Sequence, residues 1–161
     1  MSPATLEAVR IGGVESLEGR ACIRLAAPYA SGLRGLSAFS HALVVYWCDR
    51  ARRPGAGDLI LSRPYASGPS ELGTFSTRTP ERPNPIAVSA VRLEAVDVER
   101  GVVWISFIDA LPGSPVLDLK PYVPALDRVR DPVPPDWCRH WPDCFEDAPS
   151  FDWASEIVAG R

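Results

Sequence analysis

Apolar and polar residues alternate with a period of two along much of this chain. Val9 and Ile11 flank Arg10, and Ile23 and Leu25 flank Arg24; further on, Val91 and Leu93 stand against Arg92 and Glu94. This is the pattern of half-buried β-strands. The apolar phase then slips by one residue, with Val96 and Val98 set against Asp97 and Glu99. A bulge or bend is therefore expected at Ala95. Two runs, Ala42–Cys48 and Val102–Ile108, are almost continuously apolar, as in strands buried on both faces. Pro28–Phe39 turns through Gly32 and Gly35, Gly101 marks a turn, and residues 50–73 read as a loop rich in glycine and proline. Prolines multiply after Ile108 and exclude a long helix there. Short helices are expected at Leu33–His41 and at Phe151–Val158, the second capped by Ser150. Many short strands and few helices predict an all-β barrel or sandwich.

Composition narrows the class. The 161 residues are 46% hydrophobic and 23% charged, enough for one domain with a real core. A formal charge of −3 excludes a globally basic nucleic-acid coat but leaves room for a local basic patch. No apolar run approaches the ~18 residues of a membrane helix, and no basic segment precedes an apolar signal core, so a cytoplasmic protein without membrane contact is expected. Four cysteines fall far below the density of a disulfide scaffold. Cys22 and Cys48 sit in strand-like runs and read as buried thiols. Cys138, His140 and Cys144 lie close together, but their spacing matches no paired ligand pattern and a fourth ligand is missing. A partly buried aromatic tail is the better reading, and no metal is expected.

Two stretches carry chemistry. In Gly73–Ile86, three prolines within six residues stiffen a loop around Arg78, Arg82 and Asn84. Arginine's planar fork suits carboxylates and phosphates, and an asparagine amide can read a base edge; a rigid connector whose arginines pair with nearby acids fits equally well. In Asp109–Tyr122, Asp109 is expected at a strand end. Asp118, Lys120 and Tyr122 fall at alternate positions and would share one face if extended. Together they could handle a proton, or Asp118 and Lys120 could simply form an ion pair.

These stretches carry a resemblance. Phe75-Ser-Thr-Arg-Thr-Pro-Glu-Arg-Pro-Asn-Pro-Ile86 and Pro115-Val-Leu-Asp-Leu-Lys-Pro-Tyr122 resemble the signatures of the TsaA-like tRNA methyltransferase family. Upstream, Ala27-Pro-Tyr29 and Arg34-Gly-Leu-Ser-Ala-Phe-Ser-His41 are similar to a third. The resemblance spans about residues 20–125. It implies a small β-barrel with short peripheral helices over residues 1–130, on which the acidic, aromatic, proline-rich tail 131–161 would pack. It also implies a homodimer with S-adenosylmethionine near its interface, and methyl transfer to N6 of threonylcarbamoyladenosine beside the tRNA anticodon.

Position by position, the resemblance makes Arg78, Val88, Asp109, Ala110, Leu111, Pro112, Asp49 and Arg50 cofactor contacts. Arg82 and Asn84 are expected to face the acceptor, and Asp118, Lys120 and Tyr122 to form the catalytic set. The chain departs from the family pattern at Asp49 (a family histidine), Ala87 (a family glycine) and Pro112-Gly-Ser-Pro115. Between Gly12 and Glu18 it has no counterpart of a Pro-Arg-Gln cofactor contact. From Arg50 to Arg82, six arginines face three acids, a modest basic rim that could steer a tRNA anticodon loop. A different acceptor, or a non-catalytic module that binds S-adenosylmethionine, are the alternatives.

Overall fold

The computed structural model describes residues 5–158. Its strands are β1 (Gly12–Leu17), β2 (Arg20–Leu25), β3 (His41–Trp47), β4 (Ile60–Ser62), β5 (Glu71–Gly73), β6 (Ile86–Asp97), β7 (Val102–Ile105) and β8 (Pro115–Pro121). The short helices α1 (Pro124–Asp127) and α2 (Trp153–Glu156), with several 3-10 turns, complete the described secondary structure. Among the described residues, no helix is long and apolar enough to cross a membrane. The chain gathers into two compact units. One comprises residues up to Arg50 together with Pro85–Asp127, and the other comprises Ala51–Asn84 together with the residues from Arg128 onward.

The first unit is a six-stranded antiparallel sheet in the order β1-β2-β7-β6-β3-β8. β8 pairs back onto β1 at Gly12↔Val116, so the sheet closes on itself. Inward-facing residues from every strand fill its interior, among them Ile23, Val44, Val91, Val103 and Val116, all essentially inaccessible to solvent. The phase slip at Ala95 is present as a register shift: Leu93 pairs with Ile105, and the next pair is Ala95 with Trp104. β1 and β2 form a tight hairpin turned by Glu18 (φ 54°) and Gly19 (φ 75°). The segment between Gly12 and Leu17 is thus committed to the ladder.

Three expectations need correction. β3 buries only Ala42, Val44 and Tyr46, while Leu43, Val45 and Trp47 on its other side are half-exposed. The second apolar strand stops at Ile105 rather than Ile108, although Ile108 remains buried beyond the ladder. The helix expected at Leu33–His41 is instead two 3-10 turns, Ala27–Leu33 and Leu36–Ala38, separated by Gly35 at φ 84°. A left-handed residue there cannot continue a right-handed helix. Cys22 is fully buried, and burial, then the Glu15 charge, pushes its thiol up. Cys48 is only half-buried.

In the second unit β4 and β5 form a small hairpin. The tail reaches back to the loop beside it: Tyr65 bridges Ile157, Ala66 N donates to Glu156 O at 2.9 Å, and Val158 N donates to Pro64 O at 3.0 Å. Tyr65 stacks on Trp137 and meets Trp141 edge-on, with ring centroids 5.1 and 5.0 Å apart; Trp141 in turn packs on Trp153. His140 takes Glu156 as its partner, and Cys144 donates to Asp147. The cap of α2 is Asp152, whose carboxylate accepts from Ser155 N, rather than Ser150, whose hydroxyl donates to Asp147 O.

Glu156 holds this cluster together. It is buried, and its carboxylate accepts from His140 Nε2 at 2.7 Å and from Trp141 Nε1 at 3.2 Å. The bond with His140, then that with Trp141, holds its pKa below the ordinary glutamate value. A depressed folded pKa means the unfolded chain binds the proton more readily. The contribution is therefore complete above the ordinary carboxylate range and is lost as pH falls through the depressed value. In thermal melts between pH 7 and pH 3, Glu156→Gln should lower Tm at pH 7 and flatten its dependence on pH. Parallel curves for the two proteins would show that the carboxylate contributes nothing.

Candidate active site

Two groups of expected site residues belong to the closed sheet, and they sit at different heights along β3. The first lies past its C-terminal end. Asp109–Pro112 do not end a strand but form the connection from β7 to β8, four residues beyond Ile105. Tyr46, buried on β3, anchors that connection by donating its hydroxyl to Asp109 O at 2.5 Å. Arg50 Nη2 donates to Pro112 O at 3.2 Å. Gly113, at φ 94°, then turns the chain so that its N–H reaches Val14 O at 2.7 Å. Burial, then the charges of Asp109 and Asp49, pushes the thiol of the half-buried Cys48 up. Asp49, Arg50 and Asp109–Pro112, far apart in sequence, thus converge. Val88 pairs with Val45 on the outer face of the sheet and is 41% exposed.

The second group runs from the middle of β3 toward its N-terminal end. Asp118 pairs with Val45 and Lys120 with Leu43, while Tyr122 N donates to His41 O at 3.0 Å. Residues paired directly across a ladder share a face, so these three lie on the outer side of the sheet. Asp118 and Lys120 form an ion pair at 2.6 Å, and the other Asp118 oxygen accepts from Leu119 N at 2.9 Å. The hydrogen bond that Lys120 donates to Asp118, and then the Asp118 charge, raise the Lys120 pKa. The ion pair is exposed on both partners and adds little stability. Beside it, a cavity of about 420 Å³ is lined by Tyr29, Arg34, Leu36, Phe39, Asp118 and Leu119, among others. The upstream signature therefore forms one wall of this cavity, a role that its sequence alone did not indicate. Asp49 lies four residues beyond Val45, the partner of Asp118, and six beyond Leu43, the partner of Lys120, so roughly 13 to 20 Å of extended chain separates the two groups along β3.

Arg78, Arg82 and Asn84 belong to the second unit. Arg78 and Asn84 are exposed. Arg82 is half-buried and turned onto its own loop, where Nη1 donates to the carbonyls of Thr74, Thr77 and Thr79. The arginine-rich stretch is partly neutralised from within, since Arg52 pairs with both Asp58 and Glu81. The hydrogen bond that Arg52 donates to Asp58, followed by the one it donates to Glu81, raises its pKa.

The chemistry of these groups is specific. The convergent end offers carboxylates and main-chain carbonyls, which suit a cation, beside an arginine, which suits a carboxylate. A ligand carrying a positive centre and an amino-acid end would find both.

Comparisons agree with that description. Residues 9–128 match the protein family described as tRNA-methyltransferase O N-terminal domain. An S-adenosyl-L-methionine-binding protein of Archaeoglobus fulgidus is 42% identical over 101 residues, covering 63% of this chain and 68% of that protein. The tRNA (adenine(37)-N6)-methyltransferase of Escherichia coli is 35% identical over 124 residues, covering 74% of this chain and 52% of the enzyme. The crystal structure of TrmO from Pseudomonas aeruginosa superposes with a TM-score of 0.63 at 33% identity, covering 81% of this chain and 61% of that one. The chain thus spans between about half and two thirds of the length of these three proteins.

Proposed function

The chain belongs to the tRNA-methyltransferase O family, matching its N-terminal domain over residues 9–128, and from this membership we propose an S-adenosylmethionine-dependent methyltransferase acting on N6 of adenine in tRNA. The acceptor is threonylcarbamoyladenosine beside the anticodon. The observation that carries this reading is the convergence of Asp49, Arg50 and Asp109–Pro112 at one end of the closed sheet, which we read as a small β-barrel. The donor set fits the cofactor. Asp49, Asp109 and the main-chain carbonyls suit its sulfonium and ammonium groups, while Arg50 suits its carboxylate; the family resemblance makes Arg78 a cofactor contact as well. Val88 gives apolar contact.

When bound, the cofactor supplies an electrophilic methyl group for an in-line displacement, in which positioning does most of the work. Lys120 and Tyr122 keep the charge and the proton at the acceptor in order, and Asp118 takes the N6 proton once its ion pair with Lys120 opens. Arg82 and Asn84 mark the loop that faces the acceptor.

A homodimer completes this reading. A continuous apolar run such as Ala42–Cys48 normally has both faces covered, yet Leu43, Val45 and Trp47 are half-exposed, and Ile86 beside them is 42% exposed. A second copy apposed on this face would cover them. It could also bring Asp118, Lys120 and Tyr122 of one subunit toward the cofactor end of the other, across the roughly 13 to 20 Å that separates the two groups along β3 within one chain. The same reading places the protein in the cytoplasm with its tRNA and requires no metal.

The test is methyl transfer from labelled S-adenosylmethionine to tRNA that carries threonylcarbamoyladenosine without the methyl. The same tRNA lacking the threonylcarbamoyl group is the control. Label only in the first sample, found in the modified nucleoside by mass spectrometry, is the expected result. Cofactor binding without transfer to either tRNA would move the acceptor elsewhere. Asp118→Asn and Tyr122→Phe should each depress kcat while leaving cofactor affinity unchanged, and wild-type turnover in both would remove them from the catalytic set.

A further inference from the structure

We infer that Arg82 is a positioning residue that sets the direction of Arg78 by gripping the chain on both sides of it; the inference rests on the reading of Arg78 as a cofactor contact. Arg82 Nη1 donates to Thr77 O at 2.8 Å, to Thr74 O at 3.2 Å and to Thr79 O at 3.5 Å. Thr77 and Thr79 are the neighbours of Arg78 in the chain. One guanidinium nitrogen therefore holds the carbonyl of the residue before it and of the residue after it. The carbon of the same guanidinium lies over the Phe75 ring, 5.7 Å from its centroid, a cation–π contact that adds to its hold.

Side-chain hydroxyls continue the same scaffold. Thr77 Oγ1 donates to Thr74 O at 2.9 Å and accepts from Thr79 N at 3.4 Å, and Thr79 Oγ1 accepts from Glu81 N at 3.3 Å. Thr74 and Thr77 are buried, with Thr74 Oγ1 donating to Leu59 O at 3.0 Å. Past the 3-10 turn Thr74–Ser76 the loop has no strand ladder, and Pro80, Pro83 and Pro85 cannot donate main-chain hydrogen bonds. Side chains must therefore supply the donors that a ladder would otherwise give. Arg82 is the charged donor at the centre of that set. With Nη1 turned onto carbonyls of its own loop, it acts on the ligand through Arg78 rather than by touching the acceptor.

Arg82→Ala, Arg82→Lys and the wild-type protein separate these roles. Three quantities are measured: the cofactor Kd by calorimetry, kcat and both KM values for methyl transfer, and amide hydrogen exchange across residues 74–82 without ligand. Arg82→Ala should speed exchange in that segment. It should raise Kd and KM for S-adenosylmethionine about tenfold, less than the loss of Arg78 itself because Arg82 acts at one remove, with kcat and KM for tRNA close to wild type. Arg82→Lys should recover part of the affinity, because an ammonium can still reach Thr77 O. A rise in KM for tRNA alone would overturn the inference and return Arg82 to the acceptor. So would unchanged cofactor affinity in Arg82→Ala while the wild type binds. Failure of the wild type itself to bind S-adenosylmethionine would instead overturn the cofactor reading on which the inference rests.

Discussion

Replacing Gly12 with alanine is expected to destabilise the six-stranded unit by about 3 kcal/mol, the upper end of the usual cost of overpacking a well-filled interior. Gly12 sits at the seam where β1 meets both neighbours, paired with Leu25 on β2 and with Val116 on β8. A Cβ there would lie 2.3 Å from the Arg24 carbonyl oxygen and 3.0 Å from Leu25 Cα. Both obstacles are backbone, so no rotamer change relieves them; β1 must move away from β2. That movement weakens the β1–β8 pairing as well, which the described ladder holds at only two registered positions, Gly12↔Val116 and Gly13↔Pro115. In a chain of this size the loss corresponds to a drop in Tm of roughly 10 °C. Gly13→Ala is the control. Its Cβ meets the end of the Arg10 side chain at 2.9 Å, which can swing aside. Its melting curve should therefore stay close to wild type, and equal losses in the two variants would remove the seam from the explanation.

The second large effect is expected at Arg78. If its guanidinium takes the carboxylate of S-adenosylmethionine, Arg78→Ala removes one charge-assisted interaction of about 2 kcal/mol, or roughly 30-fold in Kd. Arg78→Lys should fall between, since an ammonium keeps the charge and loses the two-pronged geometry. Arg78 is exposed on its loop, so Tm should barely change, which separates lost binding from lost folding. Calorimetric titration at two salt concentrations is the measurement. An unchanged Kd in Arg78→Ala would remove the loop arginine from the cofactor site and leave Arg50 as the carboxylate partner.

Local patterns in the sequence carried the sheet well. The slip between Leu93 and Val96 marks a bulge because one residue out of phase turns every following side chain to the other face, and the ladder shifts there. The same logic misled at Ala42–Cys48. A run apolar on both sides says that both faces are to be covered, but not by what, and within this chain only one is. Gly35 also hid its effect, because a left-handed residue divides what composition presents as one short helix. For the candidate site, the residues were legible as motifs, and their grouping was not. Nothing local to Arg50 announces Pro112 as its partner, and nothing in Asp118 or Lys120 shows that they pair with Val45 and Leu43, four and six residues short of Asp49. Nor did the tail announce Tyr65, because an aromatic cluster assembled from residues 65, 137, 141 and 153 has no periodicity to read.

β3 and β6 pair antiparallel up to Trp47↔Ile86, and Cys48 N closes the pair on Pro85 O at 2.8 Å. Everything between them is therefore, topologically, one hairpin loop more than thirty residues long. Lengthening or shortening such a loop is cheap, because closure entropy grows only with the logarithm of its length. Descent within the family can then rewrite this excursion without disturbing the sheet. The excursion is not independent of the rest of the chain, however, since Tyr65 and Pro64 bond to Ile157 and Val158. Insertions near residue 65 and changes in the last thirty residues should consequently be inherited together. Lineages that lose the terminal aromatic residues should also lose the bulky ring at position 65.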